Sequence, residues 1–167
     1  MQPAAHHIAA FNLGRLLHDW EDPRVAPFRD ALDRVNAVGE RSAGFVWRLD
    51  DAGMEQAQLD PQGPLGGDTR IASALSVWES VEALEHFVFR TVHGRFYARG
   101  PEWFEPWATP RLVMWWVPVG HRPSVEEGVA RLRRLEAEGD TDEAFGWTHL
   151  EQAQLWKSRG RGAAEAA

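Results

Sequence analysis

The segment Arg111–Pro118, RLVMWWVP, constrains the fold more than any other. Leu112, Met114 and Trp116 alternate with Val113, Trp115 and Val117. In an extended chain, successive side chains point to opposite faces, so this strand is apolar on both. A large exposed apolar sheet face is unfavourable, and both faces therefore need cover. Helices on one face would leave the other for a second copy of the chain, which predicts a homodimer through the sheet. The alternative cover is the C-terminal helix and tail.

The rest of the chain supplies the partners of that strand. His7–Leu16 reads as a first strand. Asp22-Pro23 reads as a helix start, with Asp as cap and Pro at the first position. Phe28, Leu32 and Val35 follow at helical spacing, and Gly39 or Ser42 ends the helix. Residues 44–49, GFVWRL, form a second strand, and residues 50–70 are rich in Gly, Pro, Asp and Gln and read as a loop. Ile71–Trp78 is a third strand. Ser80 then caps a helix that is expected to continue to about Arg99, where Gly100-Pro101 stops it. With RLVMWWVP the order is β-α-β-β-α-β, an α+β ferredoxin-like fold with an antiparallel sheet and helices on one face. Ser124–Glu127 is a capping box, and Val125, Val129, Leu132 and Leu135 stripe an extra C-terminal helix that ends at Gly139. AFGWTHLEQAQLW reads as an added arm or short strand. One domain over residues 1–155 and a flexible tail over 156–167 are expected.

Composition narrows the function. The chain has 167 residues, 44% hydrophobic and 26% charged, as in ordinary globular proteins. Net charge is −7, Lys157 is the only lysine and no basic stripe appears, which argues against nucleic-acid binding. Cysteine is absent, so thiolate metal sites and cysteine nucleophiles are excluded. No run approaches the length of a membrane span and no signal peptide is recognisable, so a cytoplasmic protein without membrane contact is expected. Nine Trp and eight Phe stand against one Tyr, which points to an aromatic-lined cavity, a subunit interface or a Trp-rich core.

SVWESVEAL (76–84), with strand, Trp-x-Ser and helix in sequence, resembles the signature of the dimeric α/β-barrel superfamily. Cofactor-free monooxygenases of antibiotic biosynthesis, stress-response barrels, haem-degrading enzymes, chlorite dismutases and aldoxime dehydratases belong there. FNLGRL (11–16), DPR (22–24), LDRVNA (32–37), GFVWRL, His93, EWFEP (102–106), WWVPVGH (115–121) and PSVEE (123–127) are similar to one bacterial and fungal family of unknown function within it. The resemblance implies a dimeric α/β barrel of monooxygenase-like type. Members often carry consecutive arginines before EWFE, and here only Arg99 followed by Gly100-Pro101 stands there.

The chemistry-bearing residues cluster late in the second long helix. His93 is the candidate general base or acid, because imidazole titrates near neutral pH. Tyr97 is placed to donate a hydrogen bond, Arg90 or Arg99 to hold an oxyanion, and Glu102 to orient the imidazole. Asn12 in the first strand is a buried polar candidate. Ala72, Ala74 and Ser76 share one strand face and Ala10 and Asn12 another, and small side chains there would open a pocket beneath that helix. Trp47, Trp78, Trp103, Phe104 and Trp116 would line it. The expected function is a small-molecule enzyme that needs no metal or cofactor. It would oxygenate, cyclise or isomerise a hydrophobic or aromatic substrate of secondary-metabolite type. A haem enzyme with His93 as axial ligand, which the resemblance implies as an alternative, and a non-catalytic ligand-binding dimer remain open.

Overall fold

The structure is a computed structural model that describes residues 1–106 and 108–158. Four strands form one antiparallel sheet: β1 (His6–Arg15), β2 (Phe45–Arg48), β3 (Ile71–Trp78) and β4 (Leu112–Pro118), in the order β2-β3-β1-β4. Together with the crossing helices this is the expected α+β, ferredoxin-like arrangement. Ile8 pairs with Trp78 and Trp116, and Ala10 with Ser76 and Met114. Even-numbered residues of β1, β3 and β4 therefore share one face, and odd-numbered residues the other.

Both faces are covered within the chain. On the odd face, Ala9, Phe11, Leu75, Val77, Val113, Trp115 and Val117 are buried against Met54 of helix α3 (Asp51–Leu59) and Val125, Val129, Leu132 and Leu135 of helix α6 (Val125–Glu138). On the even face, Ile8, Ala10, Trp78 and Met114 pack against Val81, Leu84, Val88 and Phe89 of helix α4 (Val81–Arg90) and against Phe145, Trp147 and Leu150. The extra C-terminal helix α6, with Met54 of α3, covers the face that the ferredoxin-like helices leave open. The apolar face from which a homodimer was expected is occupied by the chain's own α6.

Several boundaries shift for local reasons. Asp22 does not cap a helix: its carboxylate accepts from the Arg24 backbone N–H at 2.9 Å and closes a turn. The helical region instead begins as α1 (Ala26–Arg29) and resumes as α2 (Leu32–Glu40). The segment read as loop from residue 50 holds α3, because Asp50 accepts from Gly53 N–H at 2.8 Å and Met54 fits into the core. The long helix expected through Arg99 breaks at Thr91 into α4 and α5 (His93–Ala98). Past β4, Met114 and Phe145 exchange backbone hydrogen bonds of 2.8 and 2.9 Å, so the arm caps the sheet edge with a single bridge. A short helix α7 (Gln154–Ser158) runs from the end of the expected domain into the first three residues of the expected tail, 156–158. The remaining tail lies outside the described residues.

One carboxylate ties the odd face together. Trp115 is 1% exposed, and its indole N–H donates to Glu127 Oε1 at 2.8 Å. His121 Nε2 lies 2.8 Å from the other oxygen, and Glu127's own N–H reaches the Ser124 cap. Gly128, next along α6, sits so close to Phe11 that a Cβ there would lie 2.7 Å from the ring. The WWVPVGH and PSVEE segments are thus halves of one helix-to-sheet contact. Removing a buried donor's partner costs about 1–3 kcal/mol. Urea unfolding of Glu127→Ala is expected to show a loss in that range, with Glu127→Gln much closer to the parent because an acceptor oxygen remains.

Candidate functional site

Asn12 and Ala74 are register partners in β1 and β3, the two central strands. Both are exposed, although Ala10 and Gly14 beside them are buried. Ser76 and Leu112, their neighbours on the same face, are half-covered. The even-face layer therefore has a gap in its middle. Asn12 is solvent-facing within that gap, which corrects its expected burial.

Helix length produces the gap. Ser80 caps α4 immediately after β3, so the helix runs back along the sheet. Ten helical residues cover about 15 Å, and the four steps from Trp78 back to Ala74 cover about 13 Å. The helix is thus about as long as that stretch of strand, and it ends at Arg90. It stops because Thr91 is extended at φ −105° and ψ −172°, with its hydroxyl donating to Phe87 O at 2.7 Å. That same hydroxyl accepts from the His93 N–H at 3.2 Å and starts α5. Phe104 closes the far end: its ring lies on Gly14, where a Cβ would come within 2.7 Å of it.

His93 stands at this break. Its Nδ1 is 3.2 Å from the Val88 carbonyl. A carbonyl only accepts, so Nδ1 carries the proton and Nε2 presents a lone pair. Among the described residues no hydrogen bond reaches Nε2. Phe87 packs 4.9 Å from the imidazole and Tyr97 at 6.2 Å, ring centre to ring centre. Burial pushes the imidazole below its ordinary value of 6.5, against a smaller raising effect of the Val88 bond. The side chain is thus a neutral imidazole at neutral pH, fixed in one tautomer.

The other expected site residues divide. Tyr97 is beside His93 and meets Phe89 edge-on at 5.8 Å. Glu102 does not orient the imidazole. It holds Arg99 through two hydrogen bonds of 2.9 and 2.8 Å, and the guanidinium lies over Trp103 at 4.7 Å. Arg90 is exposed at the end of α4. Trp78 is buried between Phe45 and Phe87, its N–H on Ser76 Oγ at 3.0 Å, so it is core. Trp103 is buried in a separate cluster with Leu16 and Val25. Trp116 packs at a tilt against Phe145, ring centres 5.3 Å apart. Trp47 is on the opposite face: a bulge between Phe45 and Trp47 pairs the first with Trp78 and the second with Val77. The five aromatics therefore do not line one pocket, and only Phe104 borders the gap.

Three features escaped the sequence reading. Arg15 pairs with Asp68 at 2.6 Å and with Glu105, and Arg70 lies 3.8 Å from Glu105. This network fixes EWFEP and the start of β3 to the end of β1. Its members are 53 and 90 positions apart, which conceals it in a linear reading. Glu85, 3% exposed, accepts from the Trp156 N–H at 2.7 Å and caps α7. Its signal was available, since it lies on the apolar stripe of Val81, Leu84, Val88 and Phe89. Trp147 is buried with its indole N–H lacking a partner among the described residues.

A cavity of about 240 Å³ lies on the odd face between Leu13, Leu65, Ile71 and Leu132, with Arg133 and Glu136 at its rim. None of the expected site residues lines it. Among the described residues no cluster of side chains suits a metal ion, and no helix is long and apolar enough to cross a membrane.

Fold and site together define a ferredoxin-like α+β protein with a neutral histidine at the break between α4 and α5 and an exposed Asn12–Ala74 pair on its sheet. The profile of a domain of unknown function, DUF3291, matches residues 7–161, and the chain belongs to that family. No curated protein and no solved structure matches the chain.

The histidine makes a pH prediction. Its folded pKa is depressed, so the unfolded chain protonates first as pH falls. Stability from this group is present above about pH 6.5, declines as pH drops through the folded pKa, and then levels off. Denaturant midpoints measured from about pH 7.5 down to pH 5 should show this loss, and His93→Gln should flatten it.

Proposed function

We propose that the gap between the α4–α5 break and the sheet is a small-molecule site in which His93 acts as a general base. The observation that carries this reading is the pinned tautomer. The Val88 carbonyl fixes Nδ1–H, and burial keeps the ring neutral, so Nε2 is poised to take a proton. A carbon acid held over Asn12 and Ala74 would transfer its α-proton to Nε2, and the C–H electron pair would move onto the carbonyl oxygen as an enolate. The Asn12 amide supplies an N–H donor for that oxygen. Cyclisation, isomerisation and cofactor-free oxygenation of a hydrophobic or aromatic substrate all begin with this step. The resemblance of SVWESVEAL to the dimeric α/β barrels, which include cofactor-free monooxygenases, supports the same class.

Arg99 has no part in this reading, because Glu102 already neutralises it. Haem would use the same Nε2, and no further observation favours it.

The test is enolisation of a model ketone. In D₂O, 2-tetralone followed by proton NMR should lose its activated α-protons faster with the protein than without it. His93→Gln should lower that catalysed rate by about 10²-fold or more. The rate should rise with pH, with its midpoint below the ordinary imidazole value of 6.5, and level off once the ring is fully neutral. Equal rates for parent and variant would remove His93 as the base. A Soret band on haemin addition, absent in His93→Gln, would replace proton transfer by ligation.

A further inference from the structure

We propose that the cavity on the odd face of the sheet binds a free α-amino acid with an apolar side chain. That side chain enters among Leu13, Leu65, Ile71 and Leu132, and the carboxylate and ammonium meet Arg133 and Glu136 at the rim. The site is separate from the one proposed around His93 and does not depend on it.

The cavity is space that the chain's own side chains leave open. Its floor is the odd face where β1 ends and β3 begins, at Leu13 and Ile71. Farther along that face Ala9, Phe11, Leu75 and Val77 are buried, whereas Leu13 is only half-buried. Helix α6 supplies one side through Val129 and Leu132, and the turn carrying Pro64 and Leu65 supplies another. Leu65 is the last apolar side chain of that turn. Gly66 and Gly67 follow it at φ 71° and 68°, a left-handed backbone that glycine adopts without strain. The volume is about 240 Å³. An apolar cavity of about 150 Å³ takes benzene. This one therefore holds a phenyl or branched aliphatic group together with its linking carbon.

The rim sets the polar end of the ligand. Arg133 and Glu136 both border the cavity and are exposed. Among the described residues neither side chain enters a hydrogen bond or an ion pair. Their neighbours on α6 differ: Arg131 is held by Glu143, and Arg134 by Glu138 and Glu143. Positions three apart on a helix are surface neighbours, with Cβ atoms about 5–6 Å apart. An α-amino acid carries its ammonium and carboxylate on one carbon, so a single ligand reaches both residues. The guanidinium takes the carboxylate through paired N–H bonds, and the Glu136 carboxylate accepts from the ammonium. A ligand with only a carboxylate would be repelled by Glu136, and one with only an ammonium by Arg133.

Three probes with one phenyl group test this: L-phenylalanine, 3-phenylpropanoate, which lacks the ammonium, and 2-phenylethylamine, which lacks the carboxylate. Binding is followed by carbon–proton NMR of the methyl groups. L-Phenylalanine should shift the methyls of Leu13, Leu65, Ile71, Val129 and Leu132 saturably, and each analogue should bind at least about tenfold more weakly. Arg133→Gln and Glu136→Gln should each weaken L-phenylalanine binding by a similar factor, with the urea midpoint unchanged. Leu13→Phe, which fills the space, should abolish the shifts at the other four residues. The two rim variants lie at exposed positions and decide the matter even if Leu13→Phe fails to fold. No saturable shift with L-phenylalanine, an analogue that binds as tightly, or unchanged affinity in either rim variant would overturn the proposal. Shifts confined to Val88 would place the ligand near His93 instead, and would equally overturn it.

Discussion

A sheet that is apolar on both faces must be covered twice, and nearly everything else in this protein follows from how each cover is made. The odd face is closed by α6, whose close approach needs Gly128 against Phe11 and whose register is set by Glu127 on the Trp115 indole. The even face is closed by pieces: α2, α4, α5, the Phe104 segment and the C-terminal arm. Pieces leave seams, and the seam over Asn12 and Ala74 is where solvent reaches the sheet.

The break that creates the seam also prepares its histidine. When α4 stops at Thr91, the carbonyls of its last turn lose their helical partners. Thr91 and the His93 ring take two of them, at Phe87 and Val88. His93 is therefore a helix-terminus residue in the structural sense, and under the proposed function the same ring would serve as a tautomer-locked base. The two roles use different nitrogens of the same ring, so one does not exclude the other. The same economy holds at Glu85, whose carboxylate sits in an apolar stripe to hold the arm that covers the even face.

Much of this was legible in the residues. Four strands, their order and the α6 stripe with its caps could be read from period and capping chemistry, because those signals are local. The gap was legible in part: small residues at positions 10, 72, 74 and 76 announced room, and their spacing put them on the right face. What was not legible depended on distant or subtle geometry. Trp47 appeared to share a pocket with Trp78, and only the bulge between Phe45 and Trp47 turns it to the other face. Thr91-Val92 sits in a continuous helical pattern, and its break depends on a threonine hydroxyl preferring a carbonyl to solvent. Glu102 near His93 in sequence looked like an orienting partner, but Arg99 three positions before it makes the shorter-range pair.

That pairing takes Glu102 away from the imidazole and fixes Arg99 over Trp103. Arg15 and Arg99 at this end of the sheet are built into ion pairs that hold backbone segments together. Arg15 spans Asp68 and Glu105, and thereby anchors β1, the entrance of β3 and the segment carrying Phe104 at one point. Asp68 is held below the usual carboxylate range by that guanidinium, as expected of a structural pair. Exposed pairs of this kind add little stability individually. Their effect here is positional: they keep Phe104 on Gly14, and Phe104 on Gly14 gives the open sheet its end wall. Charge at this end of the protein thus acts by fixing backbone segments around Gly14 and Phe104.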